Sequence, residues 1–172
     1  MGISIGEGKM FGFTEYLPAV LDQPRVDHCR TIYEENRHRV YSLAFLMTDN
    51  ELVAEELMTQ TFCRAFAHHA SPSAYQVDQA LVDELREMMP LGKLTLNCAP
   101  CDQVLSVRRN TLRVDLERAV VELPGTEKMI FLMHDVERYD HVRIARLLGL
   151  SEDESRCGLH QARLRLRELL AN

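Results

Sequence analysis

From Val26 onward the apolar residues of this chain recur at three- and four-residue steps, and no segment shows the two-residue alternation of a half-buried strand. That pattern restricts the chain to helices that each bury one stripe. Cys29, Ile32, Tyr33, Val40, Leu43, Ala44 and Met47 mark the first stripe. Thr48-Asp49-Asn50 breaks it and supplies capping oxygens for the next helix. In that second helix Val53, Ala54, Leu57, Met58, Phe62, Ala65 and Phe66 point inward, leaving Glu51, Glu55, Glu56, Gln60 and Arg64 outside. A third helix follows Ser71-Pro72-Ser73, buries Val77, Leu81, Leu85 and Met88, and ends at Pro90 and Gly92. Between Leu91 and about Thr111 the periodicity fades.

A second helical block begins near Leu112. Pro124-Gly125 interrupts it and opens a helix containing Met129, Ile130, Leu132 and Met133. A short helix with Val142, Ala145, Leu147 and Leu148 comes next, then a turn at Gly149-Leu150-Ser151 and a long terminal helix. The expectation is an all-α protein of two small helical domains, residues 25–90 and 112–172, joined by a linker over 91–111 and preceded by an arm over 1–24.

Formal net charge is −6, from 20 Lys+Arg against 26 Asp+Glu. This argues against non-specific nucleic-acid binding, which needs a cationic surface, but leaves room for a local basic face. No apolar run reaches the roughly 18–20 residues of a membrane span, and the first residues lack the layout of a secretory signal. A cytoplasmic setting is expected. The five cysteines, Cys29, Cys63, Cys98, Cys101 and Cys157, read there as reduced thiols. Cys98 and Cys101 form one CxxC, without the two further ligands of a tetrahedral zinc site, so no metal is expected. A Gly-rich phosphate loop and a nucleophile motif are also missing, which argues against an enzyme and leaves no cofactor to expect.

The sharpest local signal is Ile144-Ala145-Arg146-Leu147-Leu148-Gly149-Leu150-Ser151. Small Ala145 permits a close helix crossing, Gly149 tolerates the turn, and Leu148 and Leu150 seal the angle, as in a helix-turn-helix. Ser151 and Glu154 have the spacing of a capping box. On the following helix Leu159, Ala162, Leu166, Leu169 and Leu170 share one side. Arg156, His160, Arg163 and Arg167 share the adjacent one, a layout suited to the DNA major groove. With Arg143 these are the candidate DNA contacts. Glu152, Asp153 and Glu154 oppose them: they favour the helix dipole but repel phosphate.

Two segments, in order, resemble the extracytoplasmic-function (ECF) sigma factors of bacterial RNA polymerase. The first runs from Tyr33 to Phe45 and resumes at Asp49 and Ala54-Glu55-Glu56-Leu57-Met58-Thr59-Gln60-Thr61-Phe62-Cys63-Arg64-Ala65-Phe66. It is similar to the family's polymerase-binding helix pair, called region 2. The second runs from Leu116-Glu117-Arg118-Ala119-Val120-Val121-Glu122-Leu123-Pro124 to the stretch Leu159–Leu170. It is similar to region 4, which reads the upstream promoter element. The resemblance implies a non-catalytic protein with core RNA polymerase and promoter DNA as partners and an anti-sigma factor as a third. Asp49, Glu55, Glu56 and Gln60 are the polymerase contacts it implies.

The chain departs from the family in lacking tryptophan. Its third helix sets Asp78, Asp83, Glu84 and Glu87 against Arg86 alone, which predicts an anionic face poorly suited to single-stranded DNA. Ser155 and Gly158 stand where the family has an apolar and a basic residue. A sigma-like decoy that keeps the partner-binding faces and has weakened DNA binding is therefore the alternative reading.

Overall fold

The computed structural model describes residues 23–96 and 113–171. Within them every regular element is helical: α1 Gln23–Thr48, α2 Glu51–His68, α3 Ala74–Met88, α4 Arg113–Val121, α5 Gly125–Phe131, α6 His141–Leu148 and α7 Glu152–Ala171. Helix α5 runs on into a π-helical turn, Leu132–Val136. Residues 1–22 of the expected arm and the CxxC pair lie outside the described residues, and α1 begins at Gln23, so Gln23 and Pro24 are helical rather than part of the arm.

The helix boundaries follow local chemistry. Asn50 caps α2 by accepting the Val53 N–H at 3.1 Å. Gln76 Oε1 accepts the Ser73 N–H at 2.6 Å at the start of α3. Asp140 accepts the Arg143 N–H at 2.7 Å to open α6. Gly149 ends α6 in the left-handed conformation, φ 71°, where a Cβ would be strained.

Helices α1, α2 and α3 form one lobe around Val40, Leu43, Leu57, Phe62, Val77, Leu81 and Leu85. Helices α4 to α7 form the other around Met129, Ile130, Met133, Ile144, Leu147, Leu159 and Ala162. The inward residues predicted for α2 and α3 are buried or half-buried except Met88, which is exposed, and Thr61, Asp78, Ala80, Val82 and Glu84 are buried in addition. Val142 in α6 is exposed too, so the buried stripe of that helix is Ile144, Ala145, Leu147 and Leu148.

The lobes touch, and the start of the expected linker is docked. Gly92, at φ 95°, sits so close to the Leu148 carbonyl that a Cβ would come within 2.6 Å of its oxygen. Leu94 packs against α7 at Gly158, where a Cβ would lie 2.7 Å from its Cδ2 and 2.6 Å from Ile130 Cδ1. Glu127, fully buried in the first turn of α5, accepts the N–H groups of Thr95 and Leu96 at 2.5 and 2.6 Å. Residues 92–96 thus belong structurally to the second lobe. The chain crosses from one lobe to the other at Met89–Leu91.

Candidate nucleic-acid and polymerase interfaces

The turn between α6 and α7 has the geometry of a helix-turn-helix. Ser151 Oγ accepts the Glu154 N–H at 3.1 Å, and Glu154 Oε2 accepts the Ser151 N–H at 2.7 Å, closing the capping box. Hydrogen bonds to it from the Ser151 backbone N–H and then the Ser151 hydroxyl hold the Glu154 carboxyl below its ordinary range. Leu159, Ala162 and Leu166 of α7 are buried, while His160, Arg163 and Arg167 are exposed beside them. Ser155 and Gly158 both face the core. Ser155 is fully buried with its hydroxyl 3.0 Å from His141 Nδ1, and Gly158 admits Ile130 and Leu94. These small residues let α7 approach its neighbours closely.

The candidate DNA-contacting cations are not equivalent. Arg156 pairs with Glu152 and Asp153 in its own helix. Arg163 makes a two-pronged contact with Asp135 of the π-helical turn, at 2.6 and 3.0 Å. Arg143 reaches out of its lobe altogether, to Asp78 in α3 at 2.5 Å. His160 and Arg167 are exposed and take part in no ion pair among the described residues, and the same holds for Arg146 in the last turn of α6. Arg146 was not singled out by the sequence reading. Its signal was present: it lies opposite the buried stripe of α6, in the segment that carries the turn motif.

The histidines behind α7 set a pH dependence. His134 and His141 stack with ring centroids 4.7 Å apart. Burial, then the neighbouring His134 and Arg156, hold His141 below its ordinary value, against the pull of Glu152. Between about pH 6.5, the ordinary histidine value, and the lower folded value, the unfolded chain binds a proton that the folded chain does not. Stability therefore falls as pH drops through that window. Urea unfolding should show a midpoint that declines below about pH 6.5 in the parent protein and a flatter profile in His141→Gln. Parallel profiles would refute the assignment. Asp135 acts in a separate, more acidic window. Burial works to raise its carboxyl, but hydrogen bonds from Arg163 and His134 outweigh it and hold the group below its ordinary range. Its contribution is present above about pH 4 and is lost as pH falls through the depressed value.

The acidic third helix differs from its sequence-based expectation. Asp78 is 1% exposed and bound by Arg39, Arg143 and the Tyr139 hydroxyl. Glu84 is buried against Arg64, which also holds Glu87, and Asp83 pairs with Arg86. The carboxylates of α3 are paired with arginines on α1, α2, α6 and α3 itself rather than forming a free anionic face, and ion pairing offsets the cost of burying Asp78 and Glu84.

On the first lobe Glu55, Glu56 and Gln60 are exposed on α2, with Gln60 Nε2 donating to Glu56 Oε1 at 3.1 Å. Glu55 lines a shallow groove with Tyr33, His38, Met58 and Thr59. Leu52, 78% exposed, precedes Glu55 and Glu56 by three and four positions and so shares their face. The periodicity alone could have found it, since Leu52 falls outside the inward stripe. Asp49 is separate from this face: it lines the groove between the lobes with Arg113, Glu117 and Phe131. No group of three or more metal-ligating side chains occurs among the described residues. Cys29 and Cys63 are free thiols. Cys157 is in a disulfide, contrary to the expectation of reduced cysteines.

Comparison with known proteins places this geometry. Residues 113–166 match the family described as "Sigma-70, region 4". The chain is 24% identical to the ECF RNA polymerase sigma factor SigE of Mycolicibacterium smegmatis, across 92% of this chain and 67% of that protein. Its fold is similar to that of the sigma factor RpoE of Bartonella quintana, solved in complex with the anti-sigma factor NepR. The TM-score is 0.64 at 17% identity, covering 82% of this chain and 95% of that one.

Proposed function

We propose that the chain is a divergent member of the ECF sigma factor family, binding core RNA polymerase through α2 and holding promoter DNA through α6 and α7. The observation that carries this reading is the match to region 4 over 113–166, on residues that fold into a helix-turn-helix with exposed cations beside a buried stripe. Residues 25–90 act as the polymerase-binding domain and 112–172 as the promoter-reading domain. Glu55, Glu56 and Gln60, with Leu52 one turn before them, are the polymerase face. An exposed apolar side chain beside polar groups has the apolar-core and polar-rim layout of a protein interface.

Arg167 and His160 contact DNA from the closed arrangement, while Arg143, Arg156 and Arg163 contact it after exchanging a carboxylate for a phosphate. The protein performs no catalysis of its own. No helix among the described residues is long and apolar enough to cross a membrane, and work on polymerase puts the protein in the cytoplasm. A regulator of the kind seen with the RpoE relative, an anti-sigma factor, is its further partner.

Polymerase binding tests the first half of this reading. The pair Glu55→Ala/Glu56→Ala should weaken co-elution with purified core polymerase about tenfold or more, since truncation at an interface centre costs upward of about 1 kcal/mol per residue. Unchanged binding would move the interface elsewhere. The second reading, a sigma-like decoy with weakened DNA binding, is favoured by one observation: Arg143, Arg156 and Arg163 are all held by carboxylates of the same chain.

A further inference from the structure

The best-connected polar group in the protein joins the two lobes. Asp78 projects from α3, is almost wholly buried, and receives Arg39 from α1 on Oδ1. Its Oδ2 receives Arg143 from α6 at 2.5 Å and the Tyr139 hydroxyl at 2.8 Å. The Arg143 guanidinium carbon lies over the Tyr139 ring, 3.8 Å from its centroid, and Arg39 donates to the Tyr139 hydroxyl at 2.5 Å. One carboxylate thus ties two residues of the second lobe to the first.

Elsewhere the lobes meet through packing of α1 on α4 and α5 and of α3 on α6. Arg86 donates to the Leu147 carbonyl at 3.1 Å. On the other side of the interface a cavity of about 810 Å³ separates Tyr41, Phe45 and Leu46 of α1 from Val120, Phe131 and Val136 of the second lobe. The interface thus has a polar tie on one side and an incompletely filled apolar groove on the other. The crossing at Met89–Leu91 is short, and residues 92–96 travel with the second lobe through Gly92, Leu94 and Glu127.

We propose that Asp78 is an intramolecular latch: its carboxylate occupies Arg143 as a nucleic-acid phosphate would, closing the lobes and keeping that arginine from DNA. The division of charges makes the latch reversible. When the lobes part, Asp78 keeps Arg39, a partner on its own lobe, so no buried carboxylate is left unpaired, which is the expensive outcome. Arg143 and Tyr139 leave together, with the guanidinium free to take a phosphate in place of the carboxylate. The latch itself stands on geometry alone, whereas the role of the freed Arg143 rests on the sigma-factor reading above.

The test uses the full chain. Asp78→Asn keeps the side-chain size and removes the charge. Its radius of gyration by small-angle scattering should rise while helicity by circular dichroism stays constant, and its affinity for a mixed-sequence DNA duplex should rise about tenfold. Asp27→Asn, the same charge change at an exposed site on α1, controls for net charge and should leave the radius unchanged. Arg143→Gln cuts the latch from the other side and should open the lobes without the gain in DNA affinity. It also serves if Asp78→Asn loses helicity. Opening without a gain in DNA affinity in Asp78→Asn would uphold the latch and count against DNA binding by Arg143. An unchanged radius in both folded variants, or in Arg143→Gln if Asp78→Asn does not fold, would overturn the proposal.

Discussion

Glu127→Ala is expected to lower the unfolding free energy by about 3–5 kcal/mol. The glutamate has no exposed surface, and one of its oxygens accepts both the Thr95 and the Leu96 N–H. Hydrogen bonds to a charged acceptor contribute about 1.5–3 kcal/mol each, and alanine would remove the shared acceptor of two backbone donors. The carboxylate also sits in the first turn of α5, where the helix dipole favours a negative charge. Glu127→Gln retains an acceptor oxygen and should lose clearly less. Urea unfolding at pH 7 measures both, with the slope as a check that the same surface is being exposed. A loss under about 1 kcal/mol for Glu127→Ala would mean that residues 92–96 are not anchored as described.

The second large effect concerns DNA. Arg163→Ala with Arg167→Ala should weaken binding to a cognate promoter, in the presence of core polymerase, by roughly tenfold to a hundredfold for each residue. The two singles should differ. Arg167 takes part in no ion pair among the described residues, so its removal costs only the DNA contact. Arg163 must first leave Asp135, so part of its DNA energy is already spent in the free protein, and Arg163→Ala should lose less than Arg167→Ala. Each phosphate contact removed should also flatten the dependence of log affinity on log salt by about 0.9. Equal singles with no change in salt slope would place the DNA contacts on other residues.

The features the sequence discloses are those whose cause is local. The Ser151–Glu154 box, the Asn50 cap, the Gly149 turn and the stripe of Leu159, Ala162 and Leu166 each involve residues a few positions apart, so periodicity and capping chemistry suffice to find them. The architecture of two helical blocks followed from the same signals. What the sequence hides is pairing at a distance. Asp78 and Arg143 are 65 positions apart, and nothing in the local pattern distinguishes a solvated aspartate from a buried one.

The acids of α3 were therefore read as an anionic face, when Arg39, Arg64, Arg86 and Arg143 already account for them. Glu127 was equally inconspicuous, because an acid in the first turn of a helix has an ordinary explanation on the surface. Ser155 and Gly158 looked like losses from a DNA-reading face. They are instead small residues demanded by the close approach of His141, Ile130 and Leu94. Leu52 and Val142 err in the opposite direction, as apolar residues that the fold leaves in solvent.

This distinction bears on how the acidic character of the chain is understood. A net charge of −6 suggests weak DNA binding if its carboxylates are free. In the folded protein many are committed: Asp78, Glu84 and Glu87 between helices, Asp135 to Arg163, and Glu152 and Asp153 to Arg156. Such pairs can be exchanged for phosphate when polymerase and promoter supply the binding energy. The charge that disfavours non-specific binding by the free protein is thus compatible with specific binding in the complex.

The most direct test of sigma-factor function is transcription by purified core RNA polymerase with this protein on fragmented genomic DNA, mapping RNA 5′ ends. The account predicts discrete starts that depend on the protein and share an upstream sequence motif. Polymerase that binds the protein yet gives only the starts seen with core enzyme alone would contradict it.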